Sequence, residues 1–399
     1  MKAAAALGYV TCLFTAEAKQ FNQRGEFPDV QMMIYCNLYD EERIKEMISY
    51  LQQLPLNIVG ILSFVDPWCS QAAKLAEAYG LKAFSGEAMR QMEDKLKTRE
   101  ALRNTVHNPK YIPIPATHRN RYYQAKCLIP AVVKYIDSCG SKDVFFCPDR
   151  ESLDKNFNQL LKLYPTGTIL VEEFLDGPQY IVEVLAFDNK IHIIAIIEQE
   201  IKLINNHFII TGYNLMIDPD HDFFNKLYQA VKTILEKFEF KVGPCHLEMR
   251  NVKGVWKLVE ANPRISGAGM NHMINIGFGV NLVQETIKLA TGTPPDITPK
   301  HKKPTYGEYL IAKEAGILHK IIGRQEVLND PNVEYVYIKP RRGKLITPPE
   351  SLGDRYAYVI ATGETPQAAR QNAKDAASNI NFIYEPLDIS INNIIHSQT

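Results

Sequence analysis

At 399 residues the chain exceeds what one compact core accommodates, so two or three domains are expected. Its 45 Lys+Arg balance 45 Asp+Glu, which leaves no overall basic field for nucleic acid, and 46% hydrophobic with 23% charged residues is ordinary for a globular protein. No apolar run reaches the length of a membrane span, and seven irregularly spaced cysteines fit neither a disulfide framework nor a zinc signature but suit a reducing cytoplasm.

The start, MKAAAALGYVTCLF, has the outline of a short signal peptide, but Tyr9, Thr11 and Cys12 interrupt its apolar run. A helix end, a stop at Gly8 and a strand GYVTCLFT are expected instead. There follow a strand VQMMIYC, an amphipathic helix DEERIKEMISYLQQL, a buried strand NIVGILSFV and a helix CSQAAKLAEAYG. One longer helix is expected over SGEAMRQMEDKLKTREALRNT. This βαβ rhythm predicts a parallel, doubly wound sheet over a first domain, residues 1–105. Such sheets bind ligands beyond the carboxyl ends of their strands, which makes SFVDPW, with Pro67 and Trp68, a candidate substrate-facing loop, a buried Trp68 being the plainer alternative.

VHNPKYIPIPATHRNRYY reads as a linker or a strand-to-strand connection. Antiparallel strands are expected at IPAVVKYI, DVFFC, TILVEEFL, QYIVEVLAFD, KIHIIAIIEQEI and HFIITGYNLMI, with hairpin turns at DNK and INN. A helix DFFNKLYQAVKTILEKF and a helix over about 280–291 flank a further hairpin, and TPPDITPKHKKPT closes a second domain, 106–300. Residues 301–399, with short strands, glycine turns and a helix TPQAARQNAKDAASNI, read as a small α+β subdomain. The basic run KPRRGK is read as a solvated turn.

The chemistry concentrates in HLEMRNVKGVWKLVEANPRIS, residues 246–266. Alternation puts His246, Glu248 and Arg250 on one face of the first strand, and Trp256, Leu258, Glu260, Asn262 and Arg264 on one face of the second. An odd-numbered loop centred on Gly254 sets Glu248 opposite Glu260, with Cβ atoms about 5 Å apart. Two carboxylates that close repel each other, or one takes up a proton, unless a cation intervenes. Carboxylates with an amide oxygen are hard ligands suited to magnesium, and Arg264 beside them is placed to neutralise a phosphoryl group. A hairpin whose charges simply face water is the plainer alternative.

Glu248 followed by EANPR resembles the metal signature of the ATP-grasp superfamily, which joins a carboxylate to an amine through an acyl phosphate. The resemblance implies that Glu248, Glu260 and Asn262 hold magnesium, with manganese as an alternative, and that Arg264 contacts phosphate and the acyl intermediate. MEDKLKTREAL resembles the helix bearing the first nucleotide lysine, Lys95. IPAVVKYIDSCGSKDV resembles the strand with the second, Lys134, followed by a phosphate loop over Ser138, Gly140 and Ser141. ILVEEFLDGPQY resembles the hinge that receives adenine, giving Glu172, Glu173, Phe174 and Leu175 backbone contacts to the base, with Gln179 toward the ribose and Glu183 in the same nucleotide set. The implied fold is an ATP-grasp α/β fold with an N-terminal parallel βαβ domain and a small C-terminal α+β subdomain. Two departures stand out: the family's first strand is missing before the opening helix, and Asp143 replaces a glycine after the phosphate loop.

Within the superfamily the chain is similar to L-amino acid ligases, which make dipeptides from unprotected amino acids. The similarity lies in MRQMEDKLKTREALR, KYIDSCGSKDV, EEFLDGPQYIVEVLAF and GDRYAYVIATGETPQAAR. It implies ATP as co-substrate, two amino acids as small-molecule partners, no nucleic acid or membrane partner, and a homodimer as one admissible state. The backbone of SGAGMNHM, at Ser266, Gly267 and Gly269, is placed to take a substrate carboxylate, with a plain strand-to-helix turn as the alternative. Glu198 or Glu200 is placed to hold the first substrate's ammonium group, with a solvent-exposed strand carboxylate as the alternative. His246 reads as a hydrogen-bonded structural residue. The carboxylase and nucleotide-biosynthesis branches share the hairpin and form the second enzyme reading, with a non-catalytic ATP-binding scaffold as the other class.

Overall fold

The alanine run forms a short helix, α1 (Lys2–Ala6), and the chain leaves it through Gly8 at φ +84°. In this computed structural model the described residues are 1–138, 140, 142–205, 207–340 and 342–385. β1 (Cys12–Thr15), α2 (Ala18–Asn22) and β2 (Met32–Tyr35) follow, and β1 pairs with β2 in parallel. Asp40 caps α3 (Glu41–Gln52) by accepting the Arg43 N–H at 3.0 Å, and Ile44, Ile48 and Leu51 form its buried stripe. The expected buried strand NIVGILSFV makes no ladder and is only half-buried, with Val59 45% exposed.

α4 (Cys69–Ala78) matches expectation, but the long helix after it is two, α5 (Gly86–Glu93) and α6 (Lys95–Ala101). Asp94 between them is extended, and its carboxylate accepts the N–H groups of Leu96 and Lys97 at 2.9 and 3.0 Å. An aspartate that caps the next helix cannot continue the last one, so Lys95 opens α6 rather than lying mid-helix.

The proline-rich stretch contains β3 (Tyr111–Pro115) and a turn, α7 (Tyr122–Ala125). β4 (Ala131–Tyr135), β5 (Val144–Cys147), α8 (Arg150–Leu163) and β6 (Thr168–Glu173) come next. The four strands form one antiparallel sheet ordered β3-β6-β4-β5, with the proline-bearing strand at an edge, where a missing N–H costs least. α8 buries Leu153, Phe157 and Leu160 against Ile114, Val133, Phe145 and Ile169. β7 (Gln179–Phe187) turns into β8 (Lys190–Ile204) through Asp188 and Asn189, both at positive φ, as a two-residue hairpin requires.

β9 (His207–Leu215), α9 (His221–Lys237), β10 (Gly243–Val252), β11 (Val255–Asn262), α10 (Met270–Phe278) and α11 (Leu282–Ala290) complete the middle of the chain. The remainder comprises β12 (Thr305–Ile311), β13 (Gly316–Ile322), α12 (Arg324–Leu328), β14 (Val333–Ile338), β15 (Leu345–Ile346), β16 (Arg355–Thr362), α13 (Pro366–Ser378) and β17 (Asn381–Tyr384). Two compact units result: Met1–Asn108 with Ile181–Ile196 and Pro219–His301, and Pro109–Tyr180 with Ile197–Asp218 and the chain from Lys302 onward.

In the first unit the main sheet runs β11-β10-β7-β8. In the second, the later half of β8 continues through β9, β12, β16 and β14, beside the four-stranded sheet and a smaller β15-β13-β17 sheet. β12 pairs with β9, Thr305 opposite Leu215, so strands after residue 301 extend a sheet begun before residue 219. α13 buries Ala369 and Ala373 against Tyr306 and Ala361 of that sheet. Among the described residues, no helix is long and apolar enough to cross a membrane.

Candidate active site

In the first unit, β10 and β11 join through a two-residue turn, Lys253 and Gly254, both at positive φ. An even turn alone would set Glu248 opposite Val259. The ladder is regular from Val252–Val255 to Met249–Leu258, then a bulge at Val259 shifts the register, so that Glu248 faces Glu260 and His246 faces Asn262. The odd loop expected from sequence is therefore replaced by an even turn plus a bulge.

The bulge also corrects the face assignment. Trp256 and Leu258 share the buried face with Met249, where Trp256 meets Phe223 of α9 edge-on at 5.1 Å. Glu248, Glu260 and Asn262 lie on the other face, each partly exposed.

Helix α6 is held to this bulge. Arg99, buried, donates to the Val259 carbonyl at 2.5 Å, and one turn earlier Lys95 Nζ lies 3.2 Å from Glu260 Oε1. The segment after α6 is tied to β11 as well: Leu258 N–H donates to the His107 carbonyl at 2.8 Å, and Lys257 to the Asn108 carbonyl at 3.0 Å. The facing carboxylates with an amide beside them are the hard-oxygen set magnesium needs, and the Lys95 ammonium beside Glu260 shows that this face accommodates positive charge.

Beyond β11, Arg264 donates through Nε and Nη2 to Asp66 Oδ2, both at 2.6 Å. His246 Nδ1 meets the Arg264 carbonyl at 2.9 Å; burial, with Arg264 nearby, holds its pKa down to about 4, so the ring is neutral and orients backbone. Ser266 N–H donates to Glu183 Oε1 at 3.0 Å, and its hydroxyl donates to the same oxygen. Glu183 is fully buried; burial pushes its carboxyl up to about 7, against the two Ser266 hydrogen bonds. Gly267 is exposed, and Gly269, at φ +87°, opens α10. Pro67 is exposed, and Trp68 beside it is half-buried and meets Tyr39 edge-on at 4.6 Å.

In the second unit, Lys134 on β4 pairs with Glu172 on β6 at 2.7 Å, each side chain 7% exposed. Ser138 is buried with its hydroxyl on the Tyr135 carbonyl at 2.7 Å, Gly140 takes φ +63°, and Ser141 lies outside the described residues. Asp143, the departure noted in sequence, also adopts a positive φ of 56°. At the hinge, Glu173 N–H donates to the Lys110 carbonyl and Phe174 N–H to the Pro130 carbonyl, so these two amides are engaged within the protein. Leu175 and Gln179 are buried.

Glu198 accepts from Asn214 at 3.4 Å. Glu200 accepts from Tyr306 at 2.7 Å and from Arg370 and Lys374 of α13 at 2.5 and 3.1 Å. Burial works against its charge, but these donors outweigh it and hold its pKa down to about 2. Both glutamates line a cavity of about 300 Å³ with Tyr306 and Arg370.

Asp66, Arg99, Tyr306, Arg370 and Lys374 were not singled out from sequence. Arg99 alone left a usable trace, four residues after Lys95 on one helix face.

An ATP-grasp domain model matches residues 92–268, an ATP-grasp N-terminal domain model residues 1–81, and an L-amino acid ligase C-terminal domain 2 model residues 308–385. The chain belongs to the ATP-grasp superfamily. Its α/β architecture is the ATP-grasp fold, and membership carries ATP binding and ligase chemistry with it. An L-amino acid ligase from Bacillus licheniformis superposes with a TM-score of 0.82 at 21% identity, covering 96% of this chain and 95% of that one. An uncharacterized protein, y4rH, of Sinorhizobium fredii is 25% identical over 335 residues, 83% of this chain and 69% of its own length. The L-arginine-specific L-amino acid ligase of Bacillus subtilis is 20% identical over 202 residues, 49% of each chain, so the alignment spans about half of that relative.

Proposed function

We propose that this ATP-grasp protein is a carboxylate–amine ligase that joins two unprotected L-amino acids into a dipeptide, with ATP converted to ADP and phosphate. The observation that carries the reading is the pairing of Glu248 with Glu260, flanked by Lys95 and Arg264, in a chain whose C-terminal domain matches the L-amino acid ligase model.

Glu248, Glu260 and Asn262 would hold magnesium, which supplies charge neutralisation for the nucleotide's phosphates when bound. Lys95 adds a fixed positive charge beside Glu260. Lys134 and the amides of the Ser138–Ser141 loop are assigned to phosphate, and the strand end at Glu172–Leu175 to adenine. Arg264 neutralises the developing charge as the substrate carboxylate attacks the terminal phosphorus and forms an acyl phosphate. The second amino acid's amine then attacks the acyl carbon, phosphate leaves, and the proton passes to solvent. What the protein contributes is alignment of the two amino acids and shielding of a hydrolysable intermediate.

The test replaces the second amine with hydroxylamine. Each of the twenty L-amino acids is incubated singly with ATP, magnesium and hydroxylamine, and the amino-acid hydroxamate is measured. Hydroxamate from amino acids, with a dipeptide mass once hydroxylamine is replaced by a second amino acid, supports the ligase. Phosphate release that requires bicarbonate instead assigns the protein to the carboxylase branch, and tight ATP binding without turnover makes it a scaffold.

A further inference from the structure

Arg264 belongs to the hairpin motif, but the carboxylate that holds it does not. Asp66 comes from the SFVDPW loop, and the pair closes at 2.6 Å with the two side chains 22% and 23% exposed, within reach of a ligand. We infer that Asp66 recognises the α-ammonium group of the amino acid whose carboxyl is activated, freeing Arg264 for that molecule's carboxyl end. The inference rests on the ligase reading above.

An α-amino acid carries a cation and an anion on neighbouring atoms. It can enter an adjacent Asp–Arg pair by exchanging one ion pair for two, Asp66 with ammonium and Arg264 with carboxylate. A bicarbonate ion or a plain carboxylic acid can satisfy only the arginine. It would leave Asp66 desolvated and without a partner, and a site built for a polar group rejects analogues lacking it.

The surroundings agree. Glu93, near Asp66 and Cys69, is already engaged by the Ser70 N–H at 3.0 Å and the Ser70 hydroxyl at 2.5 Å. Burial pushes the Glu93 carboxyl up, which weakens it as a competing anion. Cys69 is buried and its thiol is raised by the same cause, so it stays a neutral neighbour. Beside Asp66, Trp68 and the 77% exposed Tyr39 form an aromatic wall that a substrate side chain can lie against.

The experiment crosses a change in the enzyme with a change in the substrate. The best carboxyl donor from the hydroxamate screen is compared with its des-amino acid, which has the same side chain and hydrogen in place of the amine. Wild type is expected to lose about 100-fold in kcat/KM when the amine is removed. D66N is expected to lose about 100-fold on the amino acid but less than about threefold on the des-amino acid, with the KM for ATP unchanged. D66E, which keeps the charge, is expected to retain the preference for the amine and guards against a folding defect in D66N. Equal losses on both substrates in D66N would mean that Asp66 acts only through Arg264, and the inference falls while the ligase reading stands. If wild type makes no hydroxamate from any amino acid, the ligase reading fails and takes this inference with it.

Discussion

The guanidinium of Arg99 donates to the carbonyl of Val259, the bulged residue whose insertion brings Glu260 opposite Glu248. One contact therefore fixes where helix α6 docks and where Lys95 reaches. R99M removes a buried charged donor and is expected to cost about 2–4 kcal/mol in urea unfolding, with a higher KM for ATP because Lys95 loses its register. Unchanged unfolding and an unchanged KM together would show that α6 is held by other contacts.

Removing either facing carboxylate should break the metal site without unfolding the hairpin. E248Q and E260Q are expected to lower hydroxamate formation by about 100-fold or more, since even outer-shell changes at metal sites cost 10–100-fold. Manganese titrated by electron paramagnetic resonance should bind each variant at least tenfold more weakly. Wild-type manganese affinity in both would place the metal elsewhere.

Glu183 makes stability depend on pH in a direction opposite to the usual carboxylate. Its folded-state pKa, pushed up to about 7 from an ordinary 4.5, means the folded protein holds that proton more tightly than the unfolded chain. The advantage is complete below 4.5 and lost as pH rises toward 7, about 3 kcal/mol in all. E183Q should remove this slope and exceed wild type in urea midpoint at pH 8. An identical pH slope in the two proteins would refute the assignment. Glu200 contributes on the acid side, where its stabilisation is present above 4.5 and lost as pH falls toward about 2.

Lys134 and Glu172 are paired where water barely reaches. K134A leaves a buried carboxylate uncompensated and is expected to destabilise by about 3–5 kcal/mol. The double change K134M/E172L should recover most of that stability but not nucleotide affinity, read by unfolding and by ATP binding. Full ATP affinity in the double variant would take Lys134 out of the nucleotide site.

Much of the architecture was legible because it rests on local signals. The period of α3, the glycine exit from α1 and the DNK turn each act over a few residues, and each appears where the sequence placed it. The facing of Glu248 and Glu260 was also anticipated, but by an incorrect route: a bulge has no sequence signature as plain as a loop length. Asp94 reads as one more helical residue, although an aspartate immediately before a run of helix formers is also a cap. NIVGILSFV looked like a buried strand because its residues are apolar, and composition alone does not supply a pairing partner. The pairings of Asp66 and Glu183 were beyond reach for a different reason. Their meaning depends on Arg264 and Ser266, which tertiary structure brings to them from far along the chain.

The three oxygen ligands assigned to the metal all lie within residues 248–262, on one hairpin whose turn and bulge set their spacing. Such a unit has low contact order, so its geometry is decided when two neighbouring strands zip together. Lys95 reaches it from a distant segment, and Asp66 and Glu183 reach Arg264 and Ser266 just beyond it. The hairpin is in that sense a cassette: changes in the first hundred residues can alter which substrates are brought to it, yet the distance between its two carboxylates stays the same.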